Sequence, residues 1–124
     1  MARHFHKELK KIKKMILSLG ALVEERVRRT AAAITEGNAA TAEEIIRSDF
    51  EVDEMEVEIE EECLKIMALH QPVAIDLRFL IAVIKINNDL ERIADEAVNI
   101  AQRIQTMTKR QPIQIAFDYE PMAS

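Results

Sequence analysis

The feature that most constrains this chain is an apolar pattern with the period of an α-helix, continued for tens of residues. From Phe5 through Leu19 to Ile34, apolar residues recur mostly three or four positions apart, the spacing that places side chains on one helix face. Only two glycines and three prolines interrupt 124 residues, and aromatic residues, which favour strands, make up 4%. The pattern predicts an all-α fold with long helices.

The ends of the first two helices can be predicted from local signals. The first helix should end near Glu36, because the Gly-Asn pair at 37–38 has the character of a helix terminator. The second should begin with the capping-box pattern formed by Thr41 and Glu44. It should end near His70, since a Gln-Pro pair follows.

A third helix is predicted from 72–76 to about Met107, with the sequence KRQP at 109–112 ending it. Each helix would be about 45 Å long, and short connections make consecutive helices antiparallel neighbours. The predicted architecture is an up-down-up three-helix bundle with spectrin-like packing over residues 1–110. Residues 111–124, with proline near both ends, predict an extended C-terminal tail, or a link to a further segment.

Charge and composition narrow the function classes. Residues 1–14 carry six Lys or Arg against one acid, whereas residues 49–62 carry nine acids and no Lys or Arg. The acidic part would repel nucleic acid. The basic start could meet an anionic membrane or an acidic partner, or be a solvated helix face. The chain has no apolar run of about 18 residues, the length that would span a membrane, and its single cysteine fits a reducing compartment. Both features predict a cytoplasmic protein.

Isolated residues that could carry chemistry favour structural explanations. Gly20 lies inside the first predicted helix, where close approach of another helix would explain it. Cys63 is predicted in the core, and His70 at a helix end that suits its charge. His4 and His6 are predicted to be exposed near the chain terminus. Nothing in these residues predicts an enzyme.

Two pairs of acids stand four residues apart within apolar stripes: Asp49 with Asp53, and Glu91 with Asp95. Each pair projects from one helix face. Asp53 precedes Gln71 by about 18 residues and Glu91 follows it by about 20, so in antiparallel helices the pairs should lie nearly level. Four carboxylates would then converge, which is costly unless something offsets their charge.

Two arrangements would offset the charge. Cations could bind, since oxygen ligands suit hard divalent or trivalent ions and carboxylates can bridge a cluster. Alternatively, the pairs could lie at a solvated edge neutralised by Arg78, Arg92 or Arg103. Glu56 also falls on the inward stripe of the second helix. A ferritin-like di-iron site is disfavoured because no Glu-x-x-His motif occurs.

Three blocks resemble the first half of a known family. "MILSLGALVEERV" (15–27), "SDFEVDEMEVEIEEECLKI" (48–66) and "ALHQPVAIDLRFLIAVIKINNDLERIADEA" (68–97) resemble, in order and spacing, the PhoU family of bacterial phosphate-uptake regulators. The resemblance implies one of two similar three-helix bundles that occur in tandem. In some members, Glu/Asp-x-x-x-Asp motifs bind multinuclear iron or other metal clusters.

The resemblance assigns metal ligands at matching positions of this chain. The implied ligands are Asp49, Asp53, Glu91 and Asp95, with Glu56 and Asn99 as secondary candidates. It implies no catalytic residue.

The same resemblance implies a non-enzymatic negative regulator of phosphate uptake. Its expected partners are the ATPase subunit of the phosphate ABC transporter and a sensor histidine kinase, with membrane association only through them. The chain is expected to be either a naturally short version or part of a longer protein, and in the first case to form a homodimer that imitates the tandem arrangement. The alternatives are a metal-binding or metal-storage protein and a helical interaction module without metal.

Overall fold

The chain is helical throughout the part that the structure describes. A computed structural model describes the backbone of residues 2–123 and the side chains of residues 4–107. Its helices are α1 (Ala2–Glu36), α2 (Ala39–Arg47), α3 (Asp49–His70) and α4 (Ala74–Ala123). The described residues contain no strand, and none of their helices has both the length and the apolar character needed to cross a membrane. The all-α prediction is confirmed.

The helices form the predicted up-down-up bundle. Helices α2 and α3 follow each other across Ser48 and together make the second of three long rods. The end of α3 lies beside the start of α1, where His70 Nε2 and Glu8 Oε2 are 3.1 Å apart. The other end of α1 lies beside α2, since Arg29 donates a hydrogen bond to Glu44. These contacts show that α1 is antiparallel to the α2–α3 rod.

The core lies at apolar positions that helical spacing predicts and is divided into two clusters, but Ile34, at the end of the stripe predicted for the first helix, is exposed. The larger cluster contains Ile12, Leu19, Val23, Val52, Ile59, Cys63, Ile66, Leu80, Val83 and Ala94. The smaller contains Ala33, Ala42, Ile45, Ala101 and Ile104 and lies beside α2. Burial of these side chains supplies the main driving force for packing the helices.

One buried amide connects α3 to α4. Asn87 is fully buried, and its Nδ2 donates a hydrogen bond of 2.9 Å to the backbone carbonyl of Glu56. A buried polar group favours the register in which it is hydrogen-bonded, because other registers leave it unpaired. This bond therefore specifies how far along α3 each residue of α4 lies.

The second helix differs from its prediction in two ways. Its N-cap is Asn38, whose side chain accepts hydrogen bonds from the backbone of Ala40 and Thr41 at 3.0 and 3.2 Å. The predicted capping box at Thr41 is wrong, because Asn38 already satisfies the first free N–H groups. The predicted single helix is also interrupted at Ser48, whose hydroxyl donates to the Glu44 carbonyl at 2.8 Å.

The third predicted helix continues beyond its predicted end. The backbone of α4 is helical to Ala123, so the extended tail predicted for residues 111–124 is wrong for the described backbone. A proline inside a helix removes one hydrogen bond and introduces a kink, but the helix can continue past it. Side chains after Met107 lie outside the described residues, and the predicted boundary at residue 110 stays a prediction.

Gly20 does not have the role predicted for it. A Cβ atom built on Gly20 would meet no atom within 4 Å, so no helix of this bundle approaches closely there. Gly37, by contrast, has φ +63°, a conformation that favours glycine. The close-approach explanation for Gly20 is wrong within the described chain.

We expect Gly20→Ala to raise the free energy of unfolding by about 1 kcal/mol, since it reduces backbone entropy in the unfolded chain without a clash. Urea denaturation at low protein concentration measures this. Gly37→Ala is the matched control and should destabilise, because it forces a Cβ into the left-handed region. A Gly20→Ala variant less stable than the wild type would contradict the open environment.

Candidate metal centre

The two predicted acidic pairs meet on one side of the bundle, between α3 and α4. One carboxylate oxygen from each of Asp49, Asp53 and Asp95 lies within 4.8 Å of the others. Oxygens of Asp53, Glu56 and Glu91 form a second group with the same spacing. Asp53 belongs to both groups, so the five carboxylates form one continuous cluster, which we call the carboxylate cluster.

The core determines how deeply each member lies. Val52 and Ile59 of α3 are buried, and the helical period places Asp49 and Glu56 on the same face, where both are half-buried. Asp53 is one residue further round the helix and is exposed. The carboxylate cluster therefore has a half-buried side and a side open to solvent.

Helix α4 contributes Glu91 and Asp95 in the same manner. Ala94 and Ala97 are buried against the core, while Glu91 is half-buried and Asp95 exposed. Glu91 lies one turn after Asn87, whose hydrogen bond to α3 determines the register. The level arrangement of the two pairs follows from that register.

The clearest electrostatic consequence falls on Glu91. Its pKa rises from an ordinary value of 4.5 to about 7. The first cause is a side-chain hydrogen bond with Asp95, which requires a proton between the two carboxylates; partial burial follows, and then the charges of Asp95, Glu56 and Asp53. Without a cation, this part of the cluster takes up a proton near neutral pH.

The half-buried acids of α3 are affected in the same direction. Burial, and then the charges of Asp53 and Asp95, raise the pKa of Asp49. Burial is also the first cause for Glu56, whose pKa is raised further by Glu60, Asp53 and Asp95. In both residues burial is the larger cause, and the negative charge of the neighbouring carboxylates raises the pKa further.

One cation that acts on this charge was not indicated by the sequence. Arg26 of α1 is 5% exposed and opposes the rise in the pKa of Asp49. Its guanidinium lies 3.4 Å from the Ser48 carbonyl and 3.4 Å from a Glu51 carboxylate oxygen. Sequence reasoning missed it because an arginine on a distant helix has no spacing relation to the acidic pairs.

The arginines that were predicted to neutralise the pairs lie in other surroundings. Arg92 forms an ion pair with Asp89 at 3.6 Å, and Arg103 lines a cavity with Ile34 and Met107. Arg78 is exposed on the first turns of α4. The exposure of Asp53 and Asp95 nevertheless matches part of the solvated-edge alternative.

Other predicted candidates have structural surroundings. Cys63 is buried, and burial raises the pKa of its thiol to about 11, so it is a core residue. His70 contacts Glu8 and lies 5.0 Å from the ring centre of Phe5. Asn99 is exposed and lines a shallow depression with Gln102.

The donor set fits hard cations. All five members of the carboxylate cluster offer oxygen, the ligand type preferred by Ca²⁺, Mg²⁺, Mn²⁺ and oxidised iron. The shared Asp53 is placed to bridge two ions. Bound cations would also remove the charge imbalance that raises the pKa of Glu91.

Comparison with known proteins supports the observed fold, and the matched region includes the whole carboxylate cluster. The model of the PhoU domain matches residues 16–104. The chain belongs to the PhoU family. The match includes all the residues of the carboxylate cluster and both helices that carry them.

Individual PhoU relatives show how much of a longer protein the chain represents. A PhoU homolog of the phosphate-specific transport system from Aquifex aeolicus is 39% identical over 107 residues, which cover 86% of this chain and 48% of the relative. A homolog from Pseudomonas putida is also 39% identical, over 83% of this chain and 40% of the relative. The chain therefore spans about half the length of the curated relatives it matches.

A solved PhoU structure has the same fold. The crystal structure of PhoU from Pseudomonas aeruginosa aligns with a TM-score of 0.82 and 36% sequence identity, covering 86% of this chain and 51% of that protein. The all-α bundle of the PhoU family, predicted from the sequence, is confirmed.

The raised pKa of Glu91 yields a test of the carboxylate cluster in the presence of chelator. The folded state binds this proton more tightly than the unfolded state, so stability falls as pH rises from about 4.5 to about 7. Glu91→Gln removes that loss and should be more stable than the wild type at pH 8 by a few tenths of a kcal/mol, with a smaller difference at pH 5.

Denaturation at both pH values measures the difference. Glu58→Gln, an exposed acid of α3 outside the cluster, is the control and should show less change with pH. A Glu91→Gln variant that is less stable than the wild type at pH 8 in chelator would contradict the repulsion among the carboxylates of the cluster.

Proposed function

We propose that this chain is a non-enzymatic accessory protein of phosphate transport that represses the phosphate-starvation response when phosphate is plentiful. The match of residues 16–104 to the PhoU domain is the observation that carries the proposal. Its relatives from Aquifex aeolicus and Pseudomonas putida are described as phosphate-specific transport system accessory proteins. Long exposed helix faces suit an adaptor, which needs surfaces for other proteins.

The proposed mechanism is a shift between states of a partner. The chain would act in the cytoplasm, binding the ATPase subunit of the phosphate ABC transporter and a sensor histidine kinase, and would reach the membrane only through them. By binding the inhibitory state of the kinase better than the active state, it would increase the inhibitory population. No chemical turnover is required.

The carboxylate cluster is the proposed site of multinuclear iron or of other divalent or trivalent ions. Asp49, Asp53 and Asp95 would hold one part of the metal cluster, and Glu56 and Glu91 would join Asp53 in the other. Bound cations would supply positive charge between α3 and α4. The five side chains would thereby crosslink the two helices and make this face of the bundle more rigid.

A metal-binding or storage protein is the second candidate. The exposure of Asp53 and Asp95 favours it, because ions could enter and leave from solvent. Partner binding with and without chelator separates the two functions. An adaptor binds its partner proteins with a measurable affinity, whereas a storage protein binds metal whether or not partner proteins are present.

We expect Asp53→Asn to lose more metal than any other single substitution, because Asp53 belongs to both carboxylate groups. Elemental analysis after equilibration with Fe or Mn measures the metal content. Glu58→Gln, on the same helix, should retain wild-type content and stability. Loss of the ions should also lower the melting temperature of Asp53→Asn in metal but not in chelator. Equal metal content in both variants would contradict the assignment.

The regulatory role predicts a phenotype. Deleting the gene in its own host should raise a phosphate-starvation reporter in phosphate-rich medium, because the kinase is no longer held in its inhibitory state. Wild-type chain should restore repression, and purified chain should retain the transporter ATPase subunit and the kinase. A reporter that stays repressed after deletion would contradict the role.

The proposed assembly is a homodimer. A second bundle of the same fold would supply a further set of contact surfaces, and isologous pairing is the commonest way in which identical chains associate.

A further inference from the structure

One face of the bundle exposes apolar side chains in an unusually regular line. On α4, apolar residues recur at steps of seven from Phe79 through Ile86, Ile93 and Ile100 to Met107. Ile86, Ile93 and Met107 are exposed, and the other two are half-buried. Seven residues are two helical turns, so the five side chains form one stripe along α4.

Helix α1 carries a second stripe. Leu9, Ile16, Val27 and Ile34 are spaced by seven or eleven residues, which also return to the same helix face. Val27 and Ile34 are exposed, whereas Leu9 and Ile16 are half-buried.

The two stripes border one groove. At one end a cavity of about 570 Å³ is lined by Leu9, Ile75 and Phe79, with His6, Lys10, Lys13 and Asp76 around them. At the other end a cavity of about 310 Å³ is lined by Ile34, Ile100 and Met107. We call the surface between these cavities the α1–α4 groove; it lies on the opposite side of α4 from the carboxylate cluster.

Gly20 gives an independent indication that something approaches this groove. It lies on the same α1 face, four residues after Ile16 and seven before Val27, and near the middle of the stripe. A glycine inside a helix costs about 1 kcal/mol relative to alanine, and no atom of the bundle would touch its Cβ. Glycine at such a position allows another backbone to approach closely.

We propose that the α1–α4 groove is the surface through which a second copy of this chain docks; the proposal rests on the homodimer named above. A twofold axis near Gly20 would place the middle of one α1 against the middle of the other. The N-terminal half of each stripe would then contact the C-terminal half of the same stripe in the second copy, as an isologous interface requires.

The size of the groove suits a stable pair. From Leu9 to Ile34 it is about 38 Å long at 1.5 Å per residue, and two adjacent helices present a width of about 20 Å. The resulting area is about 760 Å² per copy, close to the roughly 800 Å² typical of specific interfaces.

The test compares dimer dissociation constants of the full chain by sedimentation velocity with light scattering. Ile86→Glu places a charge in the α1–α4 groove, and Leu64→Glu places the same charge on α3 outside it. The side chains of Ile86 and Leu64 are similarly exposed, at 48% and 52%. Ile86→Glu should raise the dissociation constant at least about tenfold, whereas Leu64→Glu should change it less than about threefold.

Gly20→Leu is a second variant that does not depend on Ile86→Glu folding. Its Cβ would meet no atom of the single copy within 4 Å, so we expect the monomer to retain its helicity and thermal stability while the dimer weakens at least about tenfold. A wild-type chain that is monomeric at about 100 µM would overturn the proposal. So would equal weakening by Ile86→Glu and Leu64→Glu, or undiminished dimerisation of Gly20→Leu.

Metal content and repression of the starvation reporter are measured on the same variants. A monomeric wild type that still binds metal and represses the reporter would overturn the docking surface alone. A wild-type chain that dimerises but does not repress the reporter would instead contradict the proposed function.

Discussion

The hydrogen bond from Asn87 to the Glu56 carbonyl is the interaction on which the arrangement of this bundle depends most. Apolar burial alone would hold α3 and α4 together in several registers, and the observed register gives the Nδ2 group of this fully buried amide a partner. That register places Glu91, one turn further along, opposite Asp53 and Glu56. The convergence of acids is therefore a consequence of how the core is specified.

Helix α4 joins the two proposed activities. Its α3 side carries Glu91 and Asp95 of the carboxylate cluster, and its α1 side carries the stripe through Ile86 and Ile100. Metal binding would thus act on one edge of the helix whose other edge forms the α1–α4 groove. Removing the charge imbalance between α3 and α4 would make that helix a more rigid support for docking.

Sequence reasoning predicted what depends on periodicity and missed what depends on local competition or distant contacts. The long helices, the core and the level acidic pairs followed from the 3.6-residue period. The cap at Asn38 was missed because Thr41 offered an equally good local pattern. Arg26 was missed because its contact with the α2–α3 junction joins residues distant in sequence. The open space beside the Gly20 Cα depends on which side of α1 stays uncovered, which periodicity alone does not determine.

Anomalous diffraction at the iron or manganese absorption edge, from crystals grown without chelator, tests the central claim most directly. The account predicts density peaks between α3 and α4, with Asp53 Oδ atoms at bonding distance from two of them. The contrary result is an ion-free cluster in which Glu91 and Asp95 share a proton at neutral pH in the presence of excess metal.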